Sequence, residues 1–241
     1  MYKAILFDLD GTLLPIDNES FFKIYFTELT RVLVSAGIEQ ELAVRSVWAG
    51  TKAMIMNDGK RYNKDVFWET FVATAGCKSA ESFINATDPF YNGDFHKIRA
   101  ALGENPYALR AVELAARNGR RVVLATNPVF PPMAQLARLS WIGLSGMNFD
   151  LITDYESDKF CKPNPKYYLS ICERIGVEPS ECLMVGNDES DDMMGASAAG
   201  LDCFLVTDYL IPSEKFKWTG ERGTFAELIE KLECINALES I

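Results

Sequence analysis

Ala4-Ile5-Leu6-Phe7-Asp8-Leu9-Asp10-Gly11-Thr12-Leu13 begins as an apolar run and then places two aspartates one residue apart, followed by a glycine. The run fits a strand buried on both faces. Side chains alternate along a strand, so Asp8 and Asp10 point to the same side at or just past its end. Two carboxylates that close repel, and both stay ionised only with a cation or a shared proton between them. Gly11 lets the backbone turn sharply there. A buried strand that delivers paired acids to its carboxyl end suits a metal-dependent site in an open α/β sheet. The plainer alternative is a strand followed by a polar Asp-Gly turn.

The rest of the chain favours the first reading. Arg121 to Asn127 reads as a second buried strand, Phe149 to Thr153 as a short third, Glu181 to Gly186 as a fourth and Cys203 to Val206 as a fifth. Helical patterns fall between them, at Pro106–Arg117, from Pro131-Pro132 to Ser140, at Pro165–Ile175 and at Asp191–Ala199, with a terminal amphipathic helix over Phe225–Leu238. In the first of these, Leu109, Val112, Leu114 and Ala115 are expected to face inward. Strands alternating with helices predict a parallel, doubly wound sheet.

Between the first and second strands the pattern is helical only. Phe21, Phe22, Ile24, Tyr25, Leu29, Val32 and Leu33 recur at three- and four-residue steps, and the Phe21, Phe22 and Tyr25 stripe is expected to pack as core. Gln40–Trp48, Lys64–Ala75 and Ser79–Ile84 continue the helical pattern, and the chain is expected to return around Pro89–Gly93. The organisation is therefore an α/β core over residues 1–15 and 90–241, carrying a smaller all-helical insert over 16–89.

Composition bounds the function. A length of 241 residues fits one large domain or a core with a smaller insert. The net charge of −10 argues against a nucleic-acid or anionic-membrane surface, though not against an anionic substrate at a local site. The six cysteines are scattered with no Cys-x-x-Cys pair, which predicts reduced, buried thiols in a cytoplasmic protein rather than a disulfide framework or zinc site. His96 is the only histidine and has no partner motif, so nucleophilic catalysis through a histidine is not indicated. The N-terminal apolar run is too short for a signal peptide, and no apolar stretch reaches spanning length.

Three strands end in polar groups: Asp8 and Asp10, then Thr126 and Asn127, then Gly186-Asn187-Asp188 with Asp191 and Asp192 close behind. Strand carboxyl ends share one edge of an open α/β sheet, so these groups are expected to converge. Lys162, followed by Pro163 just before a helix, presents one cation to them. Carboxylates suit Mg²⁺, and a hydroxyl, backbone N–H groups and a lysine suit phosphoryl oxygens.

With these residues in hand, the chain resembles the haloacid dehalogenase superfamily of phosphohydrolases. The family's Asp-x-Asp-Gly-Thr appears as Asp8-Leu9-Asp10-Gly11-Thr12, its strand-end Ser/Thr as Thr126, its lysine before proline as Lys162-Pro163, and its acidic loop as Gly186 to Asp192. The four motifs stand in the family's order over residues 8–192. The insert is similar to the family's C1-type cap. The resemblance implies a Rossmann-like core and a Mg²⁺-dependent phosphatase acting on a small phosphorylated metabolite through an aspartyl-phosphate. It implies Asp8 as nucleophile, Asp10 as acid and then base, and Thr126, Asn127 and Lys162 as phosphate ligands. It implies a metal held by Asp8, by the Asp10 carbonyl and by the acidic loop.

One departure matters. Family members often carry aspartate directly after the glycine of the acidic loop, where this chain has Asn187. Asp188 is therefore favoured as the direct metal ligand, with Asn187 coordinating or orienting a water. Asp192 is expected to act through water, and Asp191 to be its solvated neighbour. Lys52, Lys60, Arg61 and Lys64 make the insert locally basic, as a grip for a second substrate anion or as a solvated face. A 2-haloacid dehalogenase usually lacks the second aspartate, which Asp10 supplies here. A sugar phosphomutase, a phosphonatase using Lys23, Lys52, Lys60 or Lys64, and a catalytically silent binding protein remain as alternatives.

Overall fold

The computed structural model describes residues 1–238, and positions 239–241 of the expected core domain lie outside the described residues. Strand β1 (Ala4–Phe7) is followed by helices α1 (Asn18–Ser35), α2 (Gln40–Ile55), α3 (Asn63–Ala75) and α4 (Glu81–Asn92). Then come α5 (Ala108–Ala115), β2 (Arg121–Leu124), α6 (Pro132–Trp141), β3 (Leu151–Ile152), α7 (Pro165–Ile175) and β4 (Cys182–Gly186). The chain closes with α8 (Gly195–Ala198), β5 (Asp202–Val206), β6 (Arg222–Gly223) and α9 (Phe225–Leu238).

The strands form a six-stranded sheet in the order β3-β2-β1-β4-β5-β6, and every pairing is parallel. β1 is central, with Phe7 opposite Leu124 of β2 and Val185 of β4. Period-two alternation sorts its side chains. Ile5 and Phe7 join one core layer with α5 and α9, while Ala4 and Leu6 join the other with Tyr167, Tyr168 and Ile171 of α7. Both faces of the sheet are thus covered, which is why these strands read as unbroken apolar runs.

α1 starts where the Asp17 carboxylate accepts from the Ser20 backbone N–H at 2.8 Å, and α7 where Asn164 accepts from Lys166 N–H at 3.0 Å. The helical insert closes on aromatic contacts rather than on strands. Tyr25 packs edge-on against Phe130 at 5.1 Å and Phe95 at 6.2 Å, and Tyr91 against Phe95 at 5.3 Å. Each such pair contributes about 0.5–1.5 kcal/mol beyond its buried area.

The structure corrects several sequence expectations. α4 does not stop near Ile84 but runs through Pro89 to Asn92. Proline inside a helix removes a hydrogen bond, yet burial of Phe83, Phe90 and Tyr91 holds the final turns in place. Leu109 is 44% exposed, because the buried stripe of α5 runs through Ala108, Ala111, Val112 and Ala115, and position 109 lies about 100° round from it. Phe22 is 39% exposed rather than core, beside Trp48 at 6.2 Å. The expected helix from Asp191 begins instead as a wide π-helical turn over Glu189–Met194. β6 was not anticipated.

The six cysteines are free, four of them buried. The His96 Nδ1 accepts from the Trp141 indole N–H at 2.8 Å, away from the sheet's carboxyl edge. No described helix is long and apolar enough to cross a membrane.

Candidate active site

β1 ends at Phe7, and the Asp8 backbone N–H still donates to Val185 at 2.9 Å, so the carboxylate leaves the sheet from a fixed point. Its Oδ1 accepts from Lys162 Nζ at 2.7 Å and its Oδ2 from Thr12 Oγ1 at 3.2 Å. Lys162 Nζ also donates to Asp192 Oδ1 at 2.6 Å. Thr12 Oγ1 is the same distance, 3.2 Å, from Asn187 Oδ1, so Asp8 and Asn187 meet around one hydroxyl. Asn187 is oriented by donating from Nδ2 to the Tyr209 carbonyl at 2.6 Å.

Two glycines make this approach possible. A Cβ on Gly11, whose φ is +82°, would stand 2.2 Å from Asn187 Nδ2, and one on Gly186 would stand 2.2 Å from Asp192 Oδ2. At both places the chain must lack a side chain for the two halves of the site to close.

The acidic loop is self-braced. Asp188 Oδ1 accepts from the backbone N–H groups of Ser190 at 2.7 Å and Asp191 at 2.9 Å, capping the π-helical turn. The Asp188 N–H donates in turn to Asp192 Oδ2 at 2.9 Å. Both Asp192 oxygens are therefore engaged, one by Lys162 and one by its own loop. Asp191, expected as a solvated neighbour, is instead half-buried, and its Oδ2 accepts from Asn127 Nδ2 at 3.2 Å. The Thr126 carbonyl accepts from Thr153 Oγ1 at 2.7 Å and Tyr167 Oη at 2.9 Å, which fixes the end of the second strand segment.

Asp10 has a partner that the sequence did not reveal. Arg138 of α6 is fully buried, pairs with Asp10 Oδ2 through Nη1 and lies 4.6 Å over the Phe130 ring. The Asp10 Oδ1 is buried without a hydrogen bond. A signal existed: Arg138 sits among Ala134, Ala137 and Trp141 on the buried face of its helix, where a charge is out of place.

Charge in the site is strongly coupled. Burial alone would favour a neutral Lys162, but Asp192 and Asp8 hold its ammonium charged, with a pKa well above that of a free lysine. Burial pushes the Asp192 carboxyl up to about 8, with Lys162 opposing. One ammonium serves two carboxylates, so the pair is left short of positive charge. Burial likewise raises the Asp10 carboxyl, against the pull of Arg138. It raises that of Asp188 and brings Asp191 to about 6.

These groups line the base of a cavity of about 310 Å³. Asp8, Asp10, Thr126, Asn127, Lys162, Asn187, Asp188 and Asp192, the residues singled out from sequence, all reach it. Its upper wall is apolar and comes from α1, α2 and α3. Lys52, Lys60, Arg61 and Lys64 do not line it. Lys60 pairs with Asp58 at 2.6 Å and Lys64 with Glu156 at 3.1 Å, so the basic segment is largely a solvated, ion-paired face.

For a divalent cation the donors are hard oxygens: the Asp8 carboxylate, the Asn187 amide oxygen beside it, and Asp188, whose capping bonds use Oδ1 alone. Among the described residues no group of three or more His, Cys, Asp and Glu side chains is gathered to hold a metal. A set of few protein oxygens completed by water fits Mg²⁺, which sheds its water reluctantly, and fits zinc poorly.

Comparison with known proteins agrees with this arrangement. A family model described as haloacid dehalogenase-like hydrolase matches residues 2–200. The glyceraldehyde 3-phosphate phosphatase of Methanothermobacter thermautotrophicus is 25% identical over 218 residues, covering 89% of this chain and 90% of that protein. The phosphoglycolate phosphatase of Aquifex aeolicus is 27% identical over 86% of both chains. Among solved structures, the 2-haloacid dehalogenase of Pseudomonas syringae pv. Tomato superposes with a TM-score of 0.65 at 21% identity, over 98% of this chain and 100% of that one, a likeness of fold.

Proposed function

The chain belongs to the haloacid dehalogenase-like hydrolases, and from that premise we propose that it is a Mg²⁺-dependent phosphatase of a small phosphorylated metabolite. The observation that carries the reading is Asp8, held between Lys162 at 2.7 Å and Thr12 at 3.2 Å on the floor of the cavity, with Asp10 beside it.

The Asp8 carboxylate attacks phosphorus, forming an acyl phosphate as the bond to the leaving oxygen breaks. That oxygen departs with the bonding electrons and takes a proton from Asp10. Asp10 then removes a proton from water, which attacks phosphorus and returns Asp8 as a free carboxylate. Burial suits Asp10 to this work by favouring its protonated form, and Arg138 keeps it from being protonated permanently. Proton transfer by a placed group is worth about 10²–10⁴ in rate. Lys162, Thr126 and the backbone at Asn127 hold phosphoryl oxygens. Mg²⁺, when bound by Asp8, the Asp10 carbonyl, and Asn187 or Asp188, offsets the repulsion between carboxylate and phosphate. The shared Thr12 hydroxyl favours Asn187 as the ligand beside Asp8. Asp192 positions Lys162. The insert over residues 16–89 serves as a cap, closing the site from above. The free thiols, four of them buried, support a reducing compartment such as the cytoplasm as its location.

The other readings find less support. No lysine of the insert lines the cavity, so a Schiff-base phosphonatase lacks its amine. A mutase must hold a sugar phosphate in two orientations, yet Lys162 is the single cation lining the cavity among the described residues. A silent binding protein would not need Asp8, Asp10 and Lys162 all in place.

The test is phosphate release from an aryl phosphate by the full chain. Release with Mg²⁺, loss in excess EDTA and recovery on adding Mg²⁺ back are expected. Release unaffected by EDTA would remove the metal from the reading, and no release from any ester would remove the phosphatase.

A further inference from the structure

The floor of the cavity explains the reaction but not the substrate, and the wall is of a different chemistry. Phe26 of α1 stacks on Trp48 of α2 at 4.8 Å and 17°, and Phe67 of α3 meets Trp68 at 5.0 Å and Phe71 at 6.1 Å. Leu29, Leu33, Val47 and Ile55 fill the surface between these rings.

Three polar groups in that wall are taken, while Asn18, Thr51 and the buried Trp68 indole N–H stand as isolated polar atoms among apolar side chains. The Tyr25 and Tyr91 hydroxyls bond each other at 3.1 Å, and Thr87 Oγ1 donates to its own helix at Ile84 at 3.0 Å. A polyol has several hydroxyls to satisfy, and these scattered groups among Phe22, Phe26, Leu29, Val47 and Phe67 are too few to replace its water. A second anion would fare worse. Among the described lining residues Lys162 is the only cation, and Asp8 and Asp192 already occupy it, while Asp188 and Asp191 add negative charge to the lining.

We propose that the substrate is the phosphomonoester of an apolar alcohol, an aromatic or short aliphatic group with no second charge, seated between α1, α2 and α3. The proposal rests on the phosphatase reading above. A volume of about 310 Å³ is at the small end of ligand pockets, so the organic part is compact. This separates the chain from the relatives whose names carry glyceraldehyde 3-phosphate and phosphoglycolate.

Two measurements on the full chain with Mg²⁺ separate the two claims. The first is kcat/KM for linear alkyl phosphates from methyl to hexyl, for phenyl phosphate and for phosphoglycolate. A rise of about fourfold per methylene is expected until the cavity is full, the factor that ~0.8 kcal/mol per buried CH₂ gives. Phenyl phosphate is expected to exceed phosphoglycolate by roughly 100-fold, as three or more buried methylene equivalents would give. The second is binding of the matching alkylphosphonates and of phosphonoacetate, followed by the fluorescence of Trp48 and Trp68 in the wall. It needs no turnover. Affinity is expected to climb with chain length, and Thr51→Arg, on the same wall, to weaken hexylphosphonate and tighten phosphonoacetate. Binding that is flat with chain length, or tighter for phosphonoacetate than for hexylphosphonate in the unmodified chain, overturns the apolar substrate and leaves the phosphatase standing. Graded binding with no phosphate released from any ester overturns the phosphatase alone.

Discussion

On the cavity floor, Asp8 keeps one oxygen on Lys162 at 2.7 Å and the other on Thr12 at 3.2 Å; on the wall, Phe26 and Trp48 stack at 4.8 Å with no charge between them. The floor is built from strand ends and their loops, where backbone hydrogen bonds fix each polar group. The wall is built from helix faces, where side-chain volume is the only constraint. One region holds charge in place at a cost in desolvation, and the other offers burial without direction. The reaction is therefore written in a few atoms that tolerate no change, while the choice of substrate is spread over many side chains that can vary singly.

The largest effect that could break this division is at the nucleophile. Asp8→Asn is expected to lower kcat on the order of 10⁴–10⁶-fold, as removal of a covalent nucleophile does elsewhere, while circular dichroism stays unchanged. Substantial phosphate release by the pure variant would end the assignment. Lys162→Met comes next. It leaves Asp8 and Asp192 buried without their cation, so urea unfolding should show a loss of about 3–5 kcal/mol together with loss of turnover. A variant as stable as the parent would show that the ammonium does not compensate the pair.

Arg138→Met sharpens the role of Asp10. Burial raises the Asp10 carboxyl and Arg138 lowers it, so removing the guanidinium moves its pKa further up. In the proposed mechanism Asp10 acts first as a proton donor, so kcat/KM is expected to fall as pH rises through its pKa. The alkaline limb of the profile should therefore shift to higher pH, and a limb that stays put or moves down would detach Arg138 from the chemistry. The smallest effect is expected at Lys60→Ala, on the exposed ion-paired face of the insert, where KM should change less than twofold for any substrate. A larger rise in KM would mean that this face reaches the substrate after all.

Much of the floor was legible from the chain alone, because its signals are local. An apolar run ending in Asp8-Leu9-Asp10-Gly11 reads as a buried strand delivering acids once the other strand ends agree with it, and Lys162 before Pro163 is tied to its place in the order of motifs. What escaped depends on tertiary packing. β6 is two residues long, Arg222–Gly223, and owes its existence to pairing with Leu205 and Val206 rather than to any preference of its own. Helical spacing found α1 but did not distinguish Tyr25, which is 8% exposed, from Phe22, which is 39% exposed. Arg138 could be noticed as a charge on an apolar face, but not assigned to Asp10, which lies 128 positions away. The contact of the Thr12 hydroxyl with Asn187, which bears on whether Asn187 or Asp188 would meet a metal, is indicated by no spacing rule.

The central place of β1 carries a last consequence, for how activity is gained. Asp8, Thr126, Lys162 and Asp192 come from distant parts of the chain and meet only when β1 has β2 on one side and β4 on the other. Such pairing between remote parallel strands closes late and slowly during folding, since long loops must be ordered before the contacts reward them. A half-folded chain can show helices and even a collapsed insert and still be inert. Recovery of catalysis after denaturation is therefore a direct clock for completion of the central sheet.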